Sequence, residues 1–298
     1  MKSAWMLVAA ALFGVMGALV KIAAADFSSA DLVFYRSVFG LVAIYFIILL
    51  RTRSWTSALA TIHWRAHLHR ALAGFAALAL FFYAVAHLPL PTAVTLNYTA
   101  PLFLAVITTL WLGERHARTL GLAIALGFVG VVVLLAPGMP DQDGWAMWMG
   151  LASGLLAAVA YLNVRALGRL GEPEWRVVFY FALISTLGAA VWMAWQGTRW
   201  PSPMQLPLLL AIGVTATLAQ LAMTRAYRLG NTLVVGSLAY ATVGFSALYG
   251  RLLFHDRLSV QSWGGMGLIV AAGLFATRLT SVPVVSGASS KPEGPSLY

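Results

Sequence analysis

Runs of about 20 mainly apolar residues follow one another along almost the whole chain, separated by connections too short to fold on their own. An α-helix of that length crosses the hydrocarbon core of a bilayer with every backbone hydrogen bond made internally. Ten such runs can be placed, near residues 3–24, 32–50, 68–87, 91–112, 119–136, 145–167, 176–196, 206–227, 232–253 and 260–277. They leave no room for a soluble domain, and the Ser-, Pro- and Gly-rich stretch 281–298 reads as a disordered tail. Composition agrees: 61% of the residues are hydrophobic and 9% charged, too few to cover a water-facing surface. The apolar run that begins after Met1 reaches Lys21 without a small-residue cleavage pattern, so it reads as a retained first span. The chain has no cysteine, which removes disulfides and thiolate metal sites.

The net charge of +10 is not spread as a continuous basic stripe, which argues against nucleic acid as a partner. With the N-terminus in the cytoplasm, most basic residues collect on the inner side, including Arg51, Arg53, Arg65, Arg70, Arg115, Arg118, Arg165 and Arg169. Few fall outside, among them Arg199, Arg251 and Arg257. This positive-inside bias places both termini in the cytoplasm.

The stretch from Ala84 to Val133 is echoed from Ala226 onward. Ala84 aligns with Ala226, Ala93 with Val235, Tyr98 with Tyr240 and Glu114 with Asp256. After one inserted residue, Gly121 aligns with Gly264 and Gly130 with Gly273. Ten spans divided by such a repeat give five per half, and an odd number turns the second half upside down in the membrane. The expected fold is therefore an all-α membrane protein of ten transmembrane helices, built as two inverted five-helix repeats, 1–138 and 139–280. Inverted repeats place a substrate site near the bilayer midplane and permit alternating access.

Several short patterns occur in a characteristic order: Gly14 to Lys21 in the first span, Asp31 to Arg36 in the second, and the helix start at Pro89 to Ala93. Pro101, Leu112-Gly113-Glu114 and Gly127-x-x-Gly130 follow, with Trp145 to Arg165 and Ala226 to Asp256 as the corresponding elements of the second half. In these features the chain resembles the drug/metabolite transporter superfamily, in its ten-helix EamA-type branch. The resemblance implies a bacterial cytoplasmic-membrane transporter that needs no cofactor. Its aromatic interior is similar to that of the YddG-like aromatic amino-acid exporters, which implies export of amino acids or similar small metabolites. The second half departs from the first in carrying Val243 opposite Pro101, Asp256 opposite Glu114, and no counterpart of Arg36.

Polar groups in a bilayer face the protein interior or a wet cavity. In the fourth span Asn97 and Pro101 share a helix face at i, i+4, beside Tyr98, so this region reads either as a cavity wall with a hinge at Pro101 or as a kink that packs. Thr217, Gln220, Thr224 and Tyr227 form an inward stripe that binds substrate or joins helices. Tyr83, Tyr161 and Tyr240 are midspan rings, each a candidate for the cavity or for core packing. Lys21 and Arg36 either attract a substrate carboxylate, pair with Asp26 or Asp31, or snorkel to the surface. Glu114 and Asp256 read as caps or ion-pair partners at helix ends.

His63, His67 and His69 lack the further ligands a metal needs, and a solvated basic loop is the simpler reading. The glycine pairs Gly14-x-x-Gly17, Gly127-x-x-Gly130, Gly150-x-x-x-Gly154 and the run Gly264 to Gly267 read as close helix crossings. There is no P-loop, no HExxH and no GxSxG, so neither direct ATP drive nor a membrane-embedded hydrolase is supported. A translocator of lipid or sugar conjugates on the same fold stays open, though the scarcity of interior cations argues against phosphate-bearing cargo.

Overall fold

In a computed structural model the described residues are 4–51, 59–110, 118–135, 143–197, 200–229, 238–256 and 258–279. Glu114, Arg257 and the 281–298 tail lie outside them. The described residues form eleven α-helices and no strand: α1 (Trp5–Ala23), α2 (Ser29–Arg51), α3 (Trp64–His87), α4 (Leu90–Asn97), α5 (Ala100–Leu110), α6 (Arg118–Leu135), α7 (Gly144–Arg169), α8 (Glu174–Gln196), α9 (Leu206–Leu229), α10 (Ala241–Leu253) and α11 (Val260–Leu279). Six of these, α1, α2, α3, α7, α8 and α9, are long and apolar enough to cross a membrane.

Helix boundaries follow local chemistry. Leu88 precedes Pro89 and is extended (φ −114°, ψ 161°), the conformation that a following proline imposes, so α3 stops at His87. Asp143 caps α7 by accepting from the Trp145 and Ala146 amides at 2.9 and 3.3 Å. At the other end of α7, Gly171 takes φ 77° while the Glu172 amide donates back to Leu167 O, a turn that aims Glu172 at the start of α3.

The expected fourth span is two helices. Pro101 has no N–H for the Asn97 carbonyl and its ring crowds that carbonyl, so the helix stops at Asn97 and resumes at Ala100. Instead of kinking one helix at Pro101, the chain breaks at Tyr98 and Thr99, and Pro101 lies in the first turn of α5. The i, i+4 relation expected between Asn97 and Pro101 is lost with the break. In the second half, where Val243 replaces the proline, Tyr240 keeps right-handed helical dihedrals (φ −65°, ψ −14°) just before α10.

Long helix pairs organise the interior. α1 lies along α9 and α3 along α7; α2 pairs with α8, and α6 with α11. α4 is held between α7 and α10, and α10 packs on α1. The main core gathers Phe82, Leu88, Leu90, Leu96, Leu102, Leu209 and Ile212, all essentially inaccessible. Among the described residues the tightest approach to another backbone is at Gly154, where an added Cβ would collide with Thr99 Oγ1 and sit 2.7 Å from the Leu96 carbonyl. The crossing expected at the run Gly264 to Gly267 is made at Gly265, whose carbonyl lies 2.9 Å from a Cβ added at Gly130; Gly264 and Gly267 themselves have no neighbour within 4 Å among the described residues.

Gly154→Val is expected to destabilise the protein by at least the about 1–3 kcal/mol typical of overpacking, because the wall it meets is backbone. Gly168→Ala, in the same helix with open space around it, should be neutral or slightly stabilising. Melting temperature in detergent and the monodisperse fraction on size exclusion measure both.

Candidate functional site

The broken α4–α5 element meets the start of α10 at a pair of tyrosines. The Tyr98 and Tyr240 rings are 6.2 Å apart between centroids, and Tyr98 Oη and Thr242 Oγ1 are hydrogen-bonded at 2.8 Å. Tyr240 is 4% exposed and lies against Gly273, whose missing side chain makes room for the ring. The two midspan residues that the repeat pairs thus lie ring to ring. Next to them Asn97 donates from Nδ2 to Ser153 Oγ at 3.0 Å, and Ser153 passes its own proton to Gly150 O at 2.6 Å. Asn97 therefore joins α4 to α7.

A second polar group lies deeper in the bundle, between α2, α3, α8 and α9. Arg36 and Arg70 are 6% and 8% exposed, and their guanidinium carbons stand 5.3 and 4.3 Å from the centre of the same ring, Phe181. Arg70 folds against Gly74, where a Cβ would collide with Arg70 Nη1 and lie 2.9 Å from Phe181. A pocket of about 10 Å³, room for about one water, is lined by Arg36, Ser37, Gly40, Phe181, Thr217 and Gln220. Tyr161, 39% exposed on α7, is within electrostatic reach of Arg70.

Two further clusters sit at opposite ends of α3. At its C-terminal end Lys21 Nζ donates to Leu88 O and lies 5.4 Å from the Phe254 ring centre, while Asp256 Oδ2 accepts from the Leu90 amide at 3.1 Å. His255 adopts φ 54° to turn the chain back and deliver Asp256 to that position. At its N-terminal end Glu172, with a side chain only 4% exposed, accepts from Thr61 Oγ1 and from Arg176 Nη1 at 2.9 Å. His67 Nε2 lies 3.3 Å from Glu172 Oε2, close enough for an ion pair but not aligned as a hydrogen bond. The His67 ring also packs on Tyr180, whose hydroxyl donates to Leu59 O at 2.8 Å. Burial pushes the Glu172 carboxyl up, and the donors Thr61 and Arg176, with His67 close by, more than offset this, leaving it below its usual 4.5.

The expected cavity residues therefore divide. Tyr98 and Tyr240 come together, and Gln220 joins Arg36 in the small pocket, with Tyr161 near Arg70. Tyr83 stacks on His87 at 4.2 Å near the end of α3, away from both groups. Thr224 bonds back to the Gln220 carbonyl at 2.7 Å, and Thr217 to that of Gly213 at 2.8 Å, so these hydroxyls satisfy their own helix. Lys21 serves a backbone carbonyl at a helix junction, and Arg36 pairs with neither Asp26 nor Asp31. Asp31 instead accepts from the Ser28 amide and hydroxyl at 3.0 and 2.8 Å, and Asp26 accepts from Gln205 at 3.1 Å. No three-residue metal cluster occurs among the described residues.

Arg70 was assigned by sequence to an inner connection, and the interior was expected to be poor in cations. Both expectations are corrected. α3 begins at Trp64, a turn earlier than its apolar run, and so carries Arg70 two turns into the bundle. Phe181 and Glu172 also escaped notice. Phe181 stands eighth in α8 as Arg36 stands eighth in α2, a match that shows only once the helix starts at Ser29 and Glu174 are known.

An apolar groove of about 290 Å³ between α10 and α11 is lined by Val243, Gly244, Ala247, Trp263, Met266 and Gly267 and begins beside Thr242.

A model of the EamA-like transporter family matches residues 2–136 and again 144–278. The pseudopaline exporter of Pseudomonas aeruginosa is 32% identical over 267 residues, 89% of this chain and 92% of that protein. A riboflavin transporter of Brucella anthropi is 26% identical over 78% of this chain and 83% of its own length. An S-adenosylmethionine uptake transporter of Rickettsia felis is 23% identical over 70% of each. A solved crystal structure shares the fold with a TM-score of 0.68 at 20% identity, covering 94% of this chain and 99% of that one.

The Glu172 cluster makes stability acid-sensitive with a definite sign. A carboxyl whose folded value lies below its usual 4.5 stabilises the fold above that pH, and the contribution is lost as pH falls through the folded value. Glu172→Gln should lower the melting temperature at neutral pH, where the Arg176–Glu172 ion pair is lost, and flatten the decline below about pH 4.5. Melting curves of the two proteins across pH 3–7 give the comparison, and parallel curves would remove Glu172 from the account.

Proposed function

The chain belongs to the EamA-like transporter family, and from that membership we propose that it is a secondary transporter working by alternating access between two inverted five-span halves, residues 1–138 and 139–280. The reading rests on how the helices pair. Exchanging the first five spans with the second five carries the α3–α7 pair onto α1–α9 and the α5–α7 contact onto α10–α1. The same exchange maps α2–α8 and α6–α11 each onto itself. A scaffold that is its own image under exchange of halves has two conformations of similar energy, one open to each side. Tyr98 and Tyr240 sit on the exchange axis, at the point the halves share.

In this mechanism the Lys21–Leu88–Asp256 and Thr61–His67–Glu172–Arg176 clusters hold the two ends shut in turn. The cargo is a small metabolite, an amino acid or a compound of similar size carrying a carboxylate, and its direction is export. Export is favoured by the pseudopaline exporter, which is 32% identical over nearly the whole chain. The varied cargoes of the other relatives leave the substrate class to be read from this chain's own residues. The protein lies in the bacterial cytoplasmic membrane with both termini in the cytoplasm, as the distribution of Lys and Arg between connections supports.

Purified protein in liposomes is expected to move labelled amino acids or related carboxylates above the level of empty vesicles. Tyr98→Ala and Tyr240→Ala should each reduce flux by about tenfold while leaving the yield of extracted protein within about twofold, as residues at the shared axis of an alternating-access scaffold would. Flux and yield falling together would show that these rings only pack, and an inert protein across a broad metabolite panel would end the transporter reading.

A further inference from the structure

A buried cation without a counter-ion is costly, and this chain places two of them on one ring. Arg36 Nε, Arg70 Nε and Arg70 Nη1 are inaccessible and have no hydrogen-bond partner. Neither arginine forms an ion pair among the described residues. Of the acids at the adjoining helix ends, Asp31 is held by Ser28 through Oδ2 and pairs with neither arginine although its Oδ1 has no hydrogen-bond partner, and Glu172 is held by Thr61 and Arg176. Sharing the Phe181 ring at 5.3 and 4.3 Å, the two guanidiniums lie within about 10 Å of each other. Cation–π contact with one phenyl ring returns only about 0.5–2 kcal/mol each, against the several kcal/mol that an uncompensated buried charge costs.

Packing does not call for this arrangement, since Met or Gln would fill the same space without the charge. The surrounding unpartnered hydroxyls point the same way. Ser37 Oγ and Ser185 Oγ, from α2 and α8, are buried without a partner. Gly74 keeps open the space in which Arg70 lies against Phe181. The result is a ring flanked by two positive forks and spare donors, all inside the membrane-spanning part of a transporter.

We propose that Arg36, Arg70 and Phe181 form the cargo-binding subsite, and that the cargo is an organic dianion: two carboxylates, or an equivalent pair of negative charges, on an apolar or planar body. This deepens the transporter reading and rests on it for the word cargo. Two carboxylates satisfy both forks and cancel both charges. A neutral zwitterionic amino acid would satisfy one and bring its ammonium against the other. The pocket of about 10 Å³ holds no such ligand in this conformation, so α2 and α8 part to admit it. That movement is part of the opening that alternating access requires.

Full-length protein in detergent tests the site independently of transport. Glutarate and phthalate are the probes, compared with their dimethyl esters and with sodium sulfate at matched ionic strength. Both dianions are expected to raise the wild-type melting temperature, and the esters and sulfate are not. Arg36→Gln and Arg70→Gln should abolish that shift and, by removing an uncompensated charge, raise the ligand-free melting temperature by about 2 °C or more. Arg70→Lys, which keeps the charge and loses the fork, should weaken half-saturation by about tenfold.

A structural role gives the opposite pattern: the glutamine variants melt lower or fail to fold, and a dianion shift, where present, survives in them. Either result overturns the proposal, as does equal stabilisation by sulfate or no shift with any anion. Flux of neutral amino acids in liposomes without a dianion shift would overturn the subsite and leave the transporter standing. A dianion shift without flux of any compound would leave the subsite and remove the transporter.

Discussion

A lipid environment offers a peptide group nothing to bond to, so every interruption of a spanning helix must be repaired by the protein itself. The break between α4 and α5 shows how this is done. Pro101 removes the donor that the Asn97 carbonyl would have used. Around the break, the Tyr98 amide still reaches Val94 O at 2.9 Å, and Thr99 turns both its amide and its hydroxyl onto Leu96 O at 3.2 and 2.6 Å. Gly154 brings the α7 backbone close enough to seal the gap. The same repair frees Tyr98 from the helix rows and lets its hydroxyl bond Thr242 across to the other half. Where the backbone can be interrupted thus decides where the two halves touch.

The ends of α3 carry polar clusters of different construction. At the N-terminal end a nearly inaccessible carboxylate gathers Thr61, His67 and Arg176, so its bonds are charge-assisted and shielded from water. At the C-terminal end Lys21 and Asp256 are not bonded to each other; each holds a backbone group beside Pro89, the Leu88 carbonyl and the Leu90 amide. These two backbone groups would otherwise be orphaned by the α3–α4 turn, and side chains from α1 and from the segment after α10 supply the partners. The first closure depends on charge and the second on capping. Under the alternating mechanism proposed above, the two mouths therefore resist opening for different physical reasons.

The helical fold was legible because bilayer thickness sets the length of an apolar run, and little else in the sequence competes with that signal. Asp143 as a cap, Leu88 before Pro89, and the meeting of Tyr98 with Tyr240 all follow from local chemistry or from the repeat. What was not legible concerns where polar groups go when a helix outruns its apolar stretch. The run that marks α3 begins at Leu68, so Arg70 looked like a flanking charge, whereas the helix extends back to Trp64 and takes Arg70 inside. Pro101 was read as a kink at its own position, although the bond it removes lies four residues upstream. In the run Gly264 to Gly267 the close approach to Gly130 is made at Gly265; Gly264 and Gly267 look the same in sequence, but a small residue promotes close approach only where a neighbour comes near, and none among the described residues does at those two.

The scaffold and its charges have different symmetry. The long helix pairs map onto one another when the two family-matched segments are exchanged, and Arg36 and Phe181 each stand eighth in the paired helices α2 and α8. Yet one half puts a guanidinium at that position and the other an aromatic ring, so the equivalent residues meet as cation and π face and not as two like groups. A strictly symmetric pair of arginines at this depth would repel, and a pair of phenylalanines would offer no recognition. With the ring from one half and both cations from the other, the positive groups converge on one apolar platform while the helices keep their paired packing. Under the alternating mechanism proposed above, a duplicated fold would in this way carry a single, directional site, with backbone pairing setting the two conformations and a few unmatched side chains deciding what is carried between them.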